Sequence, residues 1–96
     1  MQEIKEKFFE GEHALYGLSN AILENVTFGN GESPLKETKD LVIKNNIFKY
    51  KYPLWYSDNI KVTDSTFETM SRSGIWYINN ISIKNSNLQA PKLFRR

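Results

Sequence analysis

The sequence predicts an all-β protein that folds as a short right-handed parallel β-helix, a β-solenoid of about four to five coils of roughly 20 residues each. The first observation behind this prediction is a repeat. A nine-residue pattern occurs four times, at residues 20–28, 40–48, 59–67 and 80–88. Each copy opens with Asn or Asp, alternates apolar residues with others, places a second Asn or Asp at the sixth position and closes on a large apolar residue. A fixed period near 20 is typical of solenoids.

The second observation is the kind of element inside each repeat. In residues 60–63 the apolar Ile60 and Val62 alternate with Lys61 and Thr63, which is typical of a strand with one buried face. No segment keeps a helical period for the ten or so residues that a helix needs. Gly, Pro and Ser in the segments between copies indicate returns. Short strands that recur after one return predict parallel coils about 4.8 Å apart, with the right-handed crossover usual for parallel strands.

The repeat also predicts the core, because equivalent positions of successive coils form columns. Such columns stack inside a solenoid, and the Phe column is expected to form a stack of rings. The predicted core columns are Ala21, Leu41, Ile60 and Ile81; Leu23, Ile43, Val62 and Ile83; Phe28, Phe48, Phe67 and Leu88; and Leu15, Leu35, Leu54 and Ile75. The same spacing continues backwards to Ile4 and Phe9 and forwards to Phe94.

The Asn and Asp residues at the strand ends are interpreted as corner residues. Their short polar side chains accept left-handed backbone and can hydrogen-bond from coil to coil as a ladder. A calcium site would need several converging carboxylates, whereas one column contains a single carboxylate, in Asn25, Asn45, Asp64 and Asn85. We therefore expect no metal and no cofactor.

Composition and charge limit the classes of function. Residues 1–96 are expected to form a single domain. The net charge of +2, from 13 Lys and Arg against 11 Asp and Glu, is too small for the clustered basic face of a nucleic-acid-binding protein. The absence of cysteine excludes a disulfide framework and a thiol nucleophile. No apolar run reaches the ~20 residues of a membrane span, and residues 1–9 are too charged for a signal peptide, so a cytoplasmic protein without a membrane partner is expected.

The C-terminal segment begins another return after Leu88, at residues 90–96, and no capping segment follows. An uncovered coil would leave backbone donors and acceptors exposed together with the ends of the apolar columns. Two hypotheses follow. The chain is the N-terminal portion of a longer solenoid, or it forms a homo-oligomer through the open C-terminal coil.

An aromatic strip is the candidate functional feature. If Leu54 and Ile75 point inward, the residues that follow them point outward, one above the other in adjacent coils. Large exposed aromatic patches usually mark recognition, and aromatic faces beside cations suit sugars, acidic ones in particular. The predicted ligand-binding residues are Trp55, Tyr56, Trp76, Tyr77, Arg72 and Lys51. The alternative is that a loop, a longer chain or a partner subunit covers these rings.

Catalysis has less support, and no catalytic residue is assigned. An acid–base glycosidase needs two carboxylates about 5–9.5 Å apart, and Glu37 and Asp58, on adjacent coils, are the one pair that can be nominated. His13 lies alone in a charged return. Three hypotheses therefore stay open: a carbohydrate-recognising solenoid, a polysaccharide lyase or glycoside hydrolase whose remaining residues lie on further coils, and a structural solenoid whose aromatic strip is an assembly surface.

Four stretches carry a resemblance to a known family. Residues 31–37, 48–57, 74–77 and 90–96 resemble the bacterial domain-of-unknown-function family 3737. The resemblance implies a pectate-lyase-type right-handed β-helix and a native chain longer than this one. It implies no catalytic residues, since no activity is assigned to that family.

Overall fold

A computed structural model describes residues 1–71, 75–90 and 94–95, and every regular element in these residues is a β-strand. The first sheet contains β1 (Gln2–Lys5), β3 (Ser19–Glu24), β5 (Lys39–Lys44), β8 (Asp58–Thr63) and β11 (Asn79–Lys84). The second sheet contains β2 (Phe8–Phe9), β4 (Thr27–Phe28), β6 (Ile47–Phe48), β9 (Thr66–Phe67) and β12 (Asn87–Leu88). The third sheet contains β7 (Leu54–Trp55), β10 (Ile75–Trp76) and β13 (Phe94–Arg95).

The chain alternates between the first and second sheets in coils 1 and 2 and visits all three sheets in turn from β5 onward, which makes the molecule a solenoid. Strands of the first sheet lie in the order β1-β3-β5-β8-β11, and every neighbouring pair is parallel. We number the coils 1 to 5 by these strands; about four turns separate the first from the last. The predicted all-β parallel solenoid is confirmed.

The predicted columns are confirmed by the register. Ala21 pairs with Leu41, Leu41 with Ile60, and Ile60 with Ile81. The first three are at most 1% exposed, whereas Ile81, in coil 5, is half-buried. Ile75 pairs with Phe94 in the third sheet, the position that the repeat assigned to Phe94.

The phenylalanine column forms the predicted stack of rings. The ring centroids of Phe9 and Phe28 lie 5.7 Å apart, those of Phe28 and Phe48 5.1 Å, and those of Phe48 and Phe67 4.7 Å. Leu88 continues the column through its backbone pairing with Phe67, but its side chain is 42% exposed. In the described residues β12 lies at the edge of the second sheet and pairs with β9 alone.

The corners have the backbone that their residue types predict. Asn25, Asn45, Asp64 and Asn85 all have φ between 49° and 56°, the left-handed region that Asn and Asp tolerate best after glycine. The amide of Asn45 donates to the side-chain oxygen of Asn25, which is the expected ladder. Among the described residues no three His, Asp or Glu side chains converge as a metal site would require. None of those residues forms a helix long and apolar enough to cross a membrane.

A second column lies beside these corners and is polar in coils 3 to 5, at Asn46, Ser65 and Ser86, whereas in coil 2 the position holds the buried Val26. Asn46 is fully buried, and its amide nitrogen donates to the carbonyls of Leu23 at 2.8 Å and Lys44 at 2.7 Å. In the next coil Ser65 Oγ donates to the carbonyl of Thr63 and accepts from the backbone N–H of Asn46. These side chains hydrogen-bond backbone groups at the bend, which would otherwise be buried without a partner.

Candidate functional site

The candidate site lies where β7 and β10 leave the third sheet and at the equivalent positions of coils 1 and 2. In β7 and β10 the backbone of Leu54 pairs with that of Ile75, and the backbone of Trp55 pairs with that of Trp76. Leu54 and Ile75 are buried in the core, as predicted. The residue after each Trp is a tyrosine, so the two coils repeat an aromatic pair in register.

Trp55 is surrounded by tyrosines and is half-buried. The Tyr52 ring lies 4.3 Å from the Trp55 ring, centroid to centroid, at an interplanar angle of 41°. Tyr56 meets Trp55 edge to face at 6.1 Å. The sequence placed Trp55 outward and left open that a loop covers it; Tyr52 was not among the predicted ligand-binding residues. Tyr52 joins the site because the return segment between β6 and β7 places its ring against the Trp55 indole.

Tyr56 and Tyr77 form a stacked, half-exposed pair. Their ring centroids are 5.2 Å apart at an interplanar angle of 8°, and the two residues are 49% and 50% exposed. One face of each ring rests on the other, so the exposed area of the pair comes from the rest of the two side chains. A phenol is both a hydrogen-bond donor and an acceptor.

Both tyrosines have left-handed backbone. The equivalent residue is Gly17 in coil 1, Glu37 in coil 2, Tyr56 in coil 3 and Tyr77 in coil 4, with φ of 75°, 56°, 56° and 53°. For a residue other than glycine this conformation costs about 1–2 kcal/mol. Sequence reasoning missed this corner, because a tyrosine is not a corner residue type. The one indication of a left-handed corner in the sequence was Gly17, which occupies the equivalent position in coil 1.

A charged group lies at the coil 2 end of the tyrosine pair. Lys36 occupies the position of Trp55 one coil earlier, since Leu35 N–H donates to the carbonyl of Pro53 and Glu37 N–H to the carbonyl of Trp55. Its ammonium nitrogen is 5.9 Å from the centroid of the Tyr56 ring, within cation–π range. The predicted set did not include Lys36, although the repeat aligns it with Trp55 and Trp76.

Tyr16 and Glu37 form the coil 1 edge of the surface. A side-chain hydrogen bond to Glu37 raises the pKa of the Tyr16 phenol above its usual value, and partial desolvation and the negative charge of Glu37 act in the same direction. The imidazole of His13 lies 5.5 Å from the Tyr16 ring. Glu37, in coil 2, therefore interacts with a tyrosine of coil 1.

The remaining nominated residues are placed as follows. The Lys51 ammonium lies 5.5 Å over the ring of Tyr50, within the same return segment. Arg72 lies outside the described residues, and Trp76 is described by its backbone pairing alone. Asp58, nominated with Glu37 as an acid–base pair, accepts a hydrogen bond from Asn80 at 3.5 Å, whereas Glu37 bonds Tyr16. The two carboxylates thus have different partners.

We call the side chains at this corner the aromatic surface: Tyr16, Lys36, Glu37, Tyr52, Trp55, Tyr56 and Tyr77.

A family model described as a protein of unknown function, DUF3737, matches residues 2–96. The chain belongs to the DUF3737 family. No curated protein matches it. The family match spans every residue of the aromatic surface, but membership carries no activity, so function has to be argued from the chemistry of the surface.

Proposed function

We propose that this DUF3737 chain recognises carbohydrate through the aromatic surface, with Trp76, Arg72 and Lys51 as further members of the site. The observation that carries the proposal is the exposed, stacked pair Tyr56 and Tyr77 beside Trp55. Resemblance to pectate-lyase-type helices, solenoids that act on polysaccharides, points to the same class of ligand.

Backbone strain supports a functional reading of the tyrosine pair. Asn, Asp or Gly would occupy left-handed corners at lower cost, and the corner column of Asn25 and Asn45 uses such residues. Tyr56 and Tyr77 instead combine the unfavourable backbone with half-exposed rings. Strained residues that also expose functional groups are concentrated at binding sites.

The chemistry of the surface suits a sugar. Tyr and Trp combine an apolar ring with a polar atom, and sugars combine apolar C–H faces with hydroxyl groups. Tyr56 and Tyr77 supply phenolic groups on half-exposed side chains, the Trp55 indole supplies apolar area beside Tyr56, and Lys36 supplies a cationic donor at the coil 2 end of the pair. Sites of this kind fix orientation with a few polar groups on an apolar lining.

Assembly is the second candidate, because exposed aromatic residues also mark protein interfaces. The observation that favours it is the half-exposed apolar end of the solenoid, where Leu88 is 42% exposed. A lyase or hydrolase activity has less support, because Glu37 and Asp58 bond different neighbours.

Fluorescence of the two tryptophans, Trp55 and Trp76, tests the proposal. A panel of neutral and acidic oligosaccharides is titrated into the wild type and into Tyr56→Ala, Tyr77→Ala and the control Phe8→Ala. Phe8 is a matched control because it is an aromatic residue of similar size and is 59% exposed. It lies in the second sheet, outside the aromatic surface. We expect a saturable emission change that is lost in both tyrosine variants and kept in the control.

The opposite outcomes are equally defined. No emission change with any sugar in a folded protein would overturn carbohydrate recognition. If, in addition, the wild type is a dimer by light scattering and Tyr77→Ala is a monomer, the aromatic surface is an assembly interface.

A further inference from the structure

We infer that the ligand is an extended acidic polysaccharide that lies parallel to the solenoid axis, with its negative charge at the Lys36 end of the aromatic surface. This inference rests on the proposed function and specifies its ligand. It has two physical grounds: the repeat of the surface along the axis and the distribution of charge within it.

The surface repeats once per coil. The positions of Lys36, Trp55 and Trp76 follow one another in adjacent coils, as do those of Glu37, Tyr56 and Tyr77. The 5.2 Å between the rings of Tyr56 and Tyr77 is close to the spacing of about 4.8 Å between paired strands. A polymer aligned with the axis meets the same kind of group at each step, whereas a compact ligand contacts one coil. These positions in coils 2 to 4, which we call the track, extend about 10 Å along the axis. This length has room for roughly three sugar units.

The track is not uniform along its length. Coils 3 and 4 contribute aromatic rings, while coil 2 contributes Lys36 and Glu37. Within the described residues Lys36 forms no ion pair, in contrast to Lys5 and Lys49, which pair with Glu24 and Glu68. Glu37 is engaged by the hydroxyl of Tyr16. Over the Tyr56 ring the ammonium of Lys36 therefore has no carboxylate partner in the part of the chain that the structure describes.

An unpaired ammonium beside an aromatic track favours an anionic group on the ligand. Charge complementarity of this kind sets specificity and the rate of association more than total affinity, and at an exposed site it is screened by salt. The shared chemistry is a negatively charged sugar polymer, whether the charge comes from carboxylates or from sulfates.

The charge is tested with matched ligands and matched variants. Oligogalacturonates are compared with their methyl esters, which replace each carboxylate by a neutral ester of the same sugar chain, and dextran sulfate with dextran. The variants are Lys36→Gln, Glu37→Gln and the control Lys61→Gln, an exposed lysine on the outer face of the first sheet. At low salt we expect Lys36→Gln to weaken binding of acidic ligands about two- to fivefold, Glu37→Gln to strengthen it by a similar factor, and Lys61→Gln to leave it unchanged.

The orientation is tested with a length series of oligogalacturonates from one to six units. Affinity should rise up to about three units, the number of coils in the track, and then level off. A plateau that moves to shorter ligands in Tyr77→Ala supports the axial orientation, because that variant shortens the track by one coil.

Each result decides a separate question. Equal affinity for the acid and its methyl ester, or for one unit and six, would overturn the axial acidic ligand while leaving carbohydrate recognition in place. Binding of galacturonates but not dextran sulfate identifies carboxylates as the charged groups, and the reverse identifies sulfates. Absence of binding by every polymer would remove the proposed function itself.

Discussion

The ring of Tyr56 stacks on that of Tyr77 across two coils, with the centroids 5.2 Å apart, although both residues have left-handed backbone with φ of 56° and 53°. Stacking offsets part of the cost of the backbone, since an aromatic pair contributes about 0.5–1.5 kcal/mol against about 1–2 kcal/mol for each left-handed residue. Because stacking contributes less than the two left-handed residues cost, both positions remain strained. Substitutions at Tyr56 can separate the energy of the ring stack from the cost of the backbone conformation.

Tyr56→Ala and Tyr56→Gly both remove the stack, but only glycine removes the backbone cost. We expect Tyr56→Ala to lower the free energy of unfolding by about 1–2 kcal/mol. Tyr56→Gly should be the more stable of the two by about 1 kcal/mol, because alanine is disfavoured where φ is positive. Urea unfolding followed by circular dichroism measures both. An alanine variant as stable as the glycine variant would mean that the corner carries no strain.

The hydrogen bond between Tyr16 and Glu37 predicts a change at high pH. Because the bond to Glu37 holds the proton on the Tyr16 phenol, the pKa of Tyr16 is raised in the folded protein. This contribution to stability is fully present below the unfolded pKa of about 10 and is lost as the pH rises through the folded pKa. In Glu37→Gln the titration of Tyr16 should move toward its usual value. Resonances of ring-labelled tyrosine resolve the individual titrations, and an unshifted Tyr16 would show that Glu37 is not its partner.

Much of the fold could be predicted from the sequence, because a solenoid repeats its local rules. Asn and Asp recur where left-handed corners are needed, and apolar residues recur at the core positions, so that the register of Ala21 with Leu41 and the stack of Phe48 on Phe67 follow from the spacing alone. Because the repeat predicts the same position in several coils, each copy checks the alignment of the others.

The site was harder to predict, because its geometry depends on corners that carry no corner residue. Period-2 reasoning places Trp55 outward, but the left-handed turn at Tyr56 and the fold of the return bring Tyr52 and Tyr56 against it. Lys36 lies over Tyr56 from another coil, a contact set by side-chain direction and not by spacing. The Arg72 prediction falls outside the described residues and stays a prediction.

Asn46 provides a test of the buried polar column. Its amide nitrogen donates two hydrogen bonds to backbone carbonyls, while its side-chain oxygen is buried without a partner. Asn46→Ser should lower the free energy of unfolding by about 1–2 kcal/mol. The loss is limited because a serine can keep one of the two bonds, as Ser65 at the equivalent position of coil 4 donates to the carbonyl of Thr63. Asn46→Asp removes both donors and buries a carboxylate, and should cost at least about 3 kcal/mol. Thermal unfolding at neutral pH checks the order; equal losses would mean that water reaches this position.

Gly31 and Gly17 allow the effect of space to be separated from that of backbone conformation. Both have positive φ, but a Cβ on Gly31 would lie 2.2 Å from the carbonyl oxygen of Gly11, whereas a Cβ on Gly17 would meet nothing within 4 Å. The Gly31 contact lies where adjacent coils are hydrogen-bonded through Gly11 and Asn30, so backbone has to move to relieve it. We expect Gly31→Ala to lower the free energy of unfolding by about 3 kcal/mol and Gly17→Ala by about 1–2 kcal/mol, the backbone cost alone. Urea unfolding of the two variants decides the point, because a Gly31→Ala protein as stable as Gly17→Ala would show that the first two coils separate here without loss.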